Sequence, residues 1–79
     1  MLNIDTDQKA DAIYIKLSDE PIGYSQELDS NRIIDYTLKP GKPVGIDLLA
    51  VSQGVKLSGL PKVKGLEELL TCLGVKVIR

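Results

Sequence analysis

Glu27, Asp35 and Asp47 are the residues of this chain whose types and spacing come nearest to a chemical constellation. On the strand pattern set out below they share the non-core face of three consecutive strands, where carboxylate oxygens could converge on a hard cation such as Mg²⁺ or Ca²⁺. Register works against that convergence. It sets Asp35 across from Ser25 and Gly45, and Ile33 across from Asp47, which leaves the acids as diagonal neighbours. A solvated face whose charges discourage edge pairing is the better reading, so no metal ligand and no cofactor is assigned.

Residue type closes most other chemistry. The chain has no histidine, which removes serine–histidine and cysteine–histidine nucleophile pairs and the usual zinc ligand sets. Ser52 with Lys56, and Ser58 with Lys62, have the separation of a serine–lysine pair, but such pairs arise freely in any lysine-bearing chain. The single cysteine, Cys72, cannot form an intramolecular disulfide. It falls beside Leu69 and Leu73 in a predicted helix, where a thiol behaves as a small hydrophobe in the core or on the helix flank. Gly41-Lys42-Pro43 lacks the rest of a phosphate loop and joins two strands, and Lys62 and Lys64 offer an anion only what any helix start offers. The expectation is a protein that is not an enzyme.

The elements that would position these residues follow from periodicity. From Ala12 to Leu17, Ile13, Ile15 and Leu17 alternate with Ala12, Tyr14 and Lys16, the period of a strand with one buried face. Leu2 and Ile4 suggest a short strand before it, ended by the polar run Asp5 to Lys9. Tyr24 to Leu28 and Arg32 to Leu38 read as a hairpin with Tyr24, Gln26, Leu28, Ile34, Tyr36 and Leu38 inward. A three-residue loop, Asp29 to Asn31, pairs Leu28 with Arg32, Gln26 with Ile34 and Tyr24 with Tyr36. Lys39 to Lys42 suggests a type II turn. A bulge at Gly41 would set Tyr36 opposite Val44 and Ile34 opposite Ile46. Residues 50–60 read as an irregular connection, residues 61–73 as a helix with Gly74 to end it and with Gly65 weakening its start and displacing it toward Leu66, and residues 75–78 as a short strand. The fold expected is α+β: a small two-layer domain in which an antiparallel β-meander of about five strands carries one C-terminal helix on one face.

With 79 residues, there is room for one domain of a size that buries about 60% of its unfolded surface, so a homo-oligomer is expected, with a dimer favoured. Residues 1–38 carry eight acids and three bases, and residues 39–79 three acids and seven bases, among them Lys56, Lys62, Lys64, Lys76 and Arg79. Attraction between the halves, within the fold or between protomers, accounts for this better than phosphate or nucleic-acid binding, since no aromatic or arginine-rich surface accompanies the lysines. No apolar run approaches a membrane span, and Met1 to Asp5 has neither the basic nor the apolar region of a signal peptide. The chain is expected to be cytoplasmic.

Asp11-Ala12-Ile13-Tyr14-Ile15-Lys16-Leu17, Ile33-Ile34-Asp35-Tyr36, Val44-Gly45-Ile46-Asp47-Leu48-Leu49 and the tail Gly54 to Pro61 together resemble the short bacterial and archaeal family catalogued as domain of unknown function 2283. The resemblance implies a small antiparallel-sheet domain, no established catalytic activity and no site residues to transfer. In place of the family's usual aspartate and glycine after the central strand stands Lys39-Pro40-Gly41-Lys42-Pro43. Genes of this family often lie beside small toxin-like proteins, which implies a protein partner encoded nearby.

Three functional expectations result. The first is a non-catalytic interaction or self-associating module that works through the sheet face around Tyr14, Ile33 and Asp47 or through an exposed edge. The second is an antitoxin-like protein whose basic segment, Lys56 to Arg79, covers a toxin. The third is weak metal or small-ligand binding by Glu27, Asp35 and Asp47.

Overall fold

The computed structural model describes residues 3–78, so Leu2 and Arg79 lie outside the described residues. Strands β1 (Asn3–Asp7), β2 (Ala12–Lys16), β3 (Tyr24–Asp29), β4 (Arg32–Tyr36) and β5 (Pro43–Leu49) form one antiparallel sheet. A 3-10 turn at Val51–Gln53 leads to β6 (Val55–Lys56), helix α1 (Leu66–Cys72) and β7 (Val77–Ile78), the last parallel to β6. The chain is thus an α+β fold, a five-stranded sheet with a C-terminal helix.

The sheet runs in the order β1-β2-β5-β4-β3. A plain meander would pair β2 with β3; here β5 pairs with both β2 and β4 and takes the centre. Its composition explains the place. Val44, Gly45, Ile46 and Leu48 are all buried, and a strand apolar on most of its length is best shielded with neighbours on both sides. On the inward face Ile13, Ile15, Ile34, Ile46 and Leu48 meet Val55, Leu60, Leu66 and Leu70 from the C-terminal segment. Burying each such side chain contributes about 1.5–3 kcal/mol.

Two polar ties hold the layers together. The Arg32 guanidinium, at the rim of the inward face, donates to the carbonyls of Lys56 and Ser58 and pairs with Asp29 at 3.0 Å. Asp11, with a positive φ of 53°, accepts from the Ser52 backbone N–H at 3.0 Å and from the Ser52 hydroxyl at 2.6 Å. This fixes the β1–β2 turn to the chain that leaves β5.

Several expectations are corrected. The helix starts at Leu66 rather than Pro61, the displacement expected of Gly65, which sits at φ 85°, outside helical conformation. It ends as anticipated at Gly74, with Gly74 N–H donating to Thr71 O and Val75 N–H to Leu70 O, a Schellman arrangement. The last strand begins at Val77, not Val75. β1 runs through Asp5 and Asp7, which an edge strand tolerates because one flank meets solvent. In β3 the register shifts at Leu28, so Asp29 opposes Arg32 and forms an ion pair with it, while Gln26 opposes Ile34 and Tyr24 opposes Tyr36 as anticipated. The β4–β5 offset falls between Asp35 and Tyr36, setting Tyr36 against Pro43 rather than Val44, while Ile34 meets Ile46. The cause is Thr37. Buried at 6% exposure, its hydroxyl accepts from the N–H groups of Gly41 and Lys42, and the Lys39–Pro40 bond is cis instead of the type II turn expected. Thr37 breaks the alternation, so Leu38 turns outward and is 72% exposed. Tyr24 is exposed too, stacked on Tyr36 with ring centroids 5.2 Å apart. Cys72 lies on the solvent side of α1, away from the stripe of Leu66 and Leu70.

Candidate functional site: the open face of the sheet

The C-terminal segment covers one face of the sheet and leaves the other open. Cross-strand pairing arranges that open face in transverse rows. One row reads Asp5, Tyr14, Asp47, Ile33, Glu27 from β1 to β3, and the next reads Asn3, Lys16, Gly45, Asp35, Ser25. The candidates Tyr14, Ile33 and Asp47 are therefore brought together, with Asp47 flanked directly by the other two.

The rows are joined by one diagonal contact. The Tyr14 hydroxyl donates to Asp35 Oδ2 at 2.9 Å, and the Ser25 hydroxyl donates to Asp35 Oδ1 at 2.5 Å. To reach Asp35, Tyr14 must cross the central strand, and it does so over Gly45, where a Cβ would overlap the phenol oxygen. Glycine inside a strand marks such a close approach. Asp35, expected in solvent, is 9% exposed with both oxygens engaged.

Electrostatics follow from this packing. Burial, then the Asp35 hydrogen bond, then the charges of Asp35 and Asp47 push the Tyr14 phenol up to about 12. It stays protonated at neutral pH and serves as a fixed donor, the opposite of an activated base. Burial and the charge of Asp35 raise the Asp47 carboxyl above the usual carboxylate range. No hydrogen bond to the Asp47 carboxylate is found among the described residues, so this charge is held against its surroundings and faces a broad depression lined by Asp5, Asp7, Ala12 and Tyr14.

The three carboxylates Glu27, Asp35 and Asp47 do not converge on one point. Ile33 stands between Glu27 and Asp47 in their row, and Asp35 is committed one row away. Among the described residues no group of three or more His, Cys, Asp or Glu side chains is placed to hold a metal ion. Nor is a serine–lysine pair supported at Ser52, whose hydroxyl donates to Asp11. Among the described residues no helix is long and apolar enough to cross a membrane.

Sequence reasoning missed Ser25 and Gly45 as parts of the site and misread Asp35 as solvated. The signal was present in the register, which already set Ser25 and Gly45 across from Asp35. It became informative only with the diagonal reach of the tyrosine.

A family model described as Protein of unknown function (DUF2283) matches residues 3–52, more than half of the chain. The span holds all five strands of the sheet, and the tail Gly54 to Pro61 lies beyond it. Neither the curated proteins nor the solved structures contain a match.

Proposed function

The chain belongs to this family of proteins of unknown function, and from that premise we propose that it works as a non-catalytic protein-interaction module whose contact surface is the open sheet face. The observation that carries this reading is the row Asp5, Tyr14, Asp47, Ile33, Glu27, which intersperses acids with an aromatic and an aliphatic side chain on a rigid sheet. Asp47 is the telling member. Its charge opposes local stability, as both causes of its raised pKa indicate, and groups that violate a local rule without compensation concentrate where something else depends on them. The partner chemistry that fits is a protein surface bearing lysine or arginine, which would pair with Asp47 and lie against the Tyr14 ring. The setting we infer is cytoplasmic, where an exposed Cys72 stays reduced.

The test is copurification with the products of the neighbouring genes, followed by affinity measurement on whichever is retained. Asp47→Lys and Ile33→Asp should each weaken binding at least tenfold, while Glu68→Lys, on the exposed side of α1, should leave it unchanged. Equal binding by all of these variants would sink the reading.

A further inference from the structure

We infer that two copies of this chain associate through their β3 edges, joining two sheets into one ladder of ten strands. This goes beyond the open-face reading and uses a different surface. The sheet has two edges, β1 and β3, and each presents outward N–H and C=O groups without a strand to receive them. They differ in how they meet a copy of themselves. A two-fold axis normal to the sheet keeps both helical layers on one side and opposes residues of like parity.

At β1, centring that axis on Asp5 sets Asp5 against Asp5, and centring it on Thr6 sets Asp5 against Asp7. Carboxylates are opposed in both, and the centre that avoids this, Ile4, pairs only Asn3 to Asp5 of the strand. At β3, centring it on Gln26 sets Tyr24 against Leu28, Ser25 against Glu27 and Gln26 against Gln26. Each pair is matched, aromatic with aliphatic, hydroxyl with carboxylate, and amide with amide, and no two like charges are opposed. The edge also lacks the lysines that commonly blunt exposed strands. The register shift at Leu28 touches only the end of this segment, because Tyr24 to Glu27 pair with β4 without interruption.

Exposed apolar surface gathers at the same edge. Ile22, Tyr24 and Leu38 are three of the four large hydrophobic side chains left exposed among the described residues, at 56%, 46% and 72%. Ile22 and Leu38 line one hollow, where Gly23 lies directly against Leu38, and Tyr24 follows Gly23 in the chain. Single exposed hydrophobic residues need no explanation, but a cluster beside an unpaired edge marks a contact surface.

Sedimentation and light scattering over a concentration series test this. The wild-type chain should reach twice the monomer mass. Gln26→Lys and Gln26→Glu, both at an exposed position, should each remain monomeric with an unchanged circular dichroism spectrum. Mixed in equal amounts they should recover the doubled mass, because opposite charges then meet across the axis. Asp5→Lys and Asp47→Lys should leave the dimer intact, which separates this proposal from the open-face reading. A wild-type chain that stays monomeric, variants that dimerise as the wild type does, failure of the mixture to associate, or loss of the dimer in Asp5→Lys or Asp47→Lys would overturn it.

Discussion

Because the Tyr14 ring crosses Gly45 to reach Asp35, three residues on three strands behave as one unit. Gly45→Ala should destabilise the fold by about 1–3 kcal/mol, the usual cost of overpacking. Most of that loss should vanish in a Tyr14→Ala background, where the clash is absent, so a double-mutant cycle in urea should show strong non-additivity. Tyr14→Phe removes the donor and should cost about 1–2 kcal/mol, nearer the lower end because the site is only partly buried. The phenol also gives a pH signature. Its folded pKa is raised to about 12 from 10.0, so the unfolded chain loses this proton first. Stability should be fully present below pH 10.0 and fall as pH rises toward 12, a slope that Tyr14→Phe should abolish. Asp47 has the opposite value to the fold. With its carboxyl pKa raised, the native state takes up this proton before the unfolded one. Asp47→Asn should therefore raise the melting midpoint at neutral pH, with the difference closing as acid protonates the wild-type residue. An unmoved or lowered midpoint at neutral pH would count against a charge held at a stability cost.

At the level of elements, what the sequence made legible was whatever depends on period. Ile13 and Ile15 in β2 and the separation of core and open faces follow from alternation alone, and the pairing of Ile34 with Ile46 from alternation joined to an offset in the β4–β5 turn. What escaped were positions where a side chain competes with that period. Asp29 turns to Arg32 and shifts β3, and Thr37 closes the β4–β5 turn on itself and throws Leu38 outward. None alters composition, and each depends on which of two local hydrogen-bonding schemes wins. The pairing of β2 with β5 was hidden for another reason: alternation says which face a residue takes but not which strand lies beside it. Arg32 is the element-scale tie with the clearest test. It reaches from β4 to the carbonyls of Lys56 and Ser58, and lysine cannot reproduce its forked geometry. Arg32→Lys should cost about 1–3 kcal/mol and should speed amide exchange in β6 and α1 more than in β2. Uniform acceleration across the chain would argue that Arg32 supports the sheet rather than the attachment of the C-terminal layer.

For the whole molecule, the charge asymmetry of the sequence becomes a difference between layers, divided after β5 rather than at residue 38. The acids Asp5, Asp47 and Glu27 share the open face, whereas Lys56, Lys62, Lys64 and Lys76 belong to the segment beyond the sheet and are exposed. One core joins the layers, and it is small. Leu70, at 0% exposure, is the deepest contribution of α1, and Leu70→Ala should cost about 2–5 kcal/mol. A chain of this length has roughly 4–12 kcal/mol in total, so the variant should lose much of its urea resistance and detach the helix first. The central position of β5 matters also while the chain is being made. Until residues 43–49 have left the ribosome, the nascent chain owns two hairpins that share no strand, and isolated hairpins are at best marginally stable in water. Folding cannot proceed strand by strand behind the growing end. It must wait for one late segment to dock between two earlier ones, so a fragment ending at residue 42 is expected to stay unfolded and one ending at 49 to be the first with a complete sheet to protect. The stretch of sequence most committed to the interior is thus also the one whose arrival sets when this protein can begin to exist as a folded body.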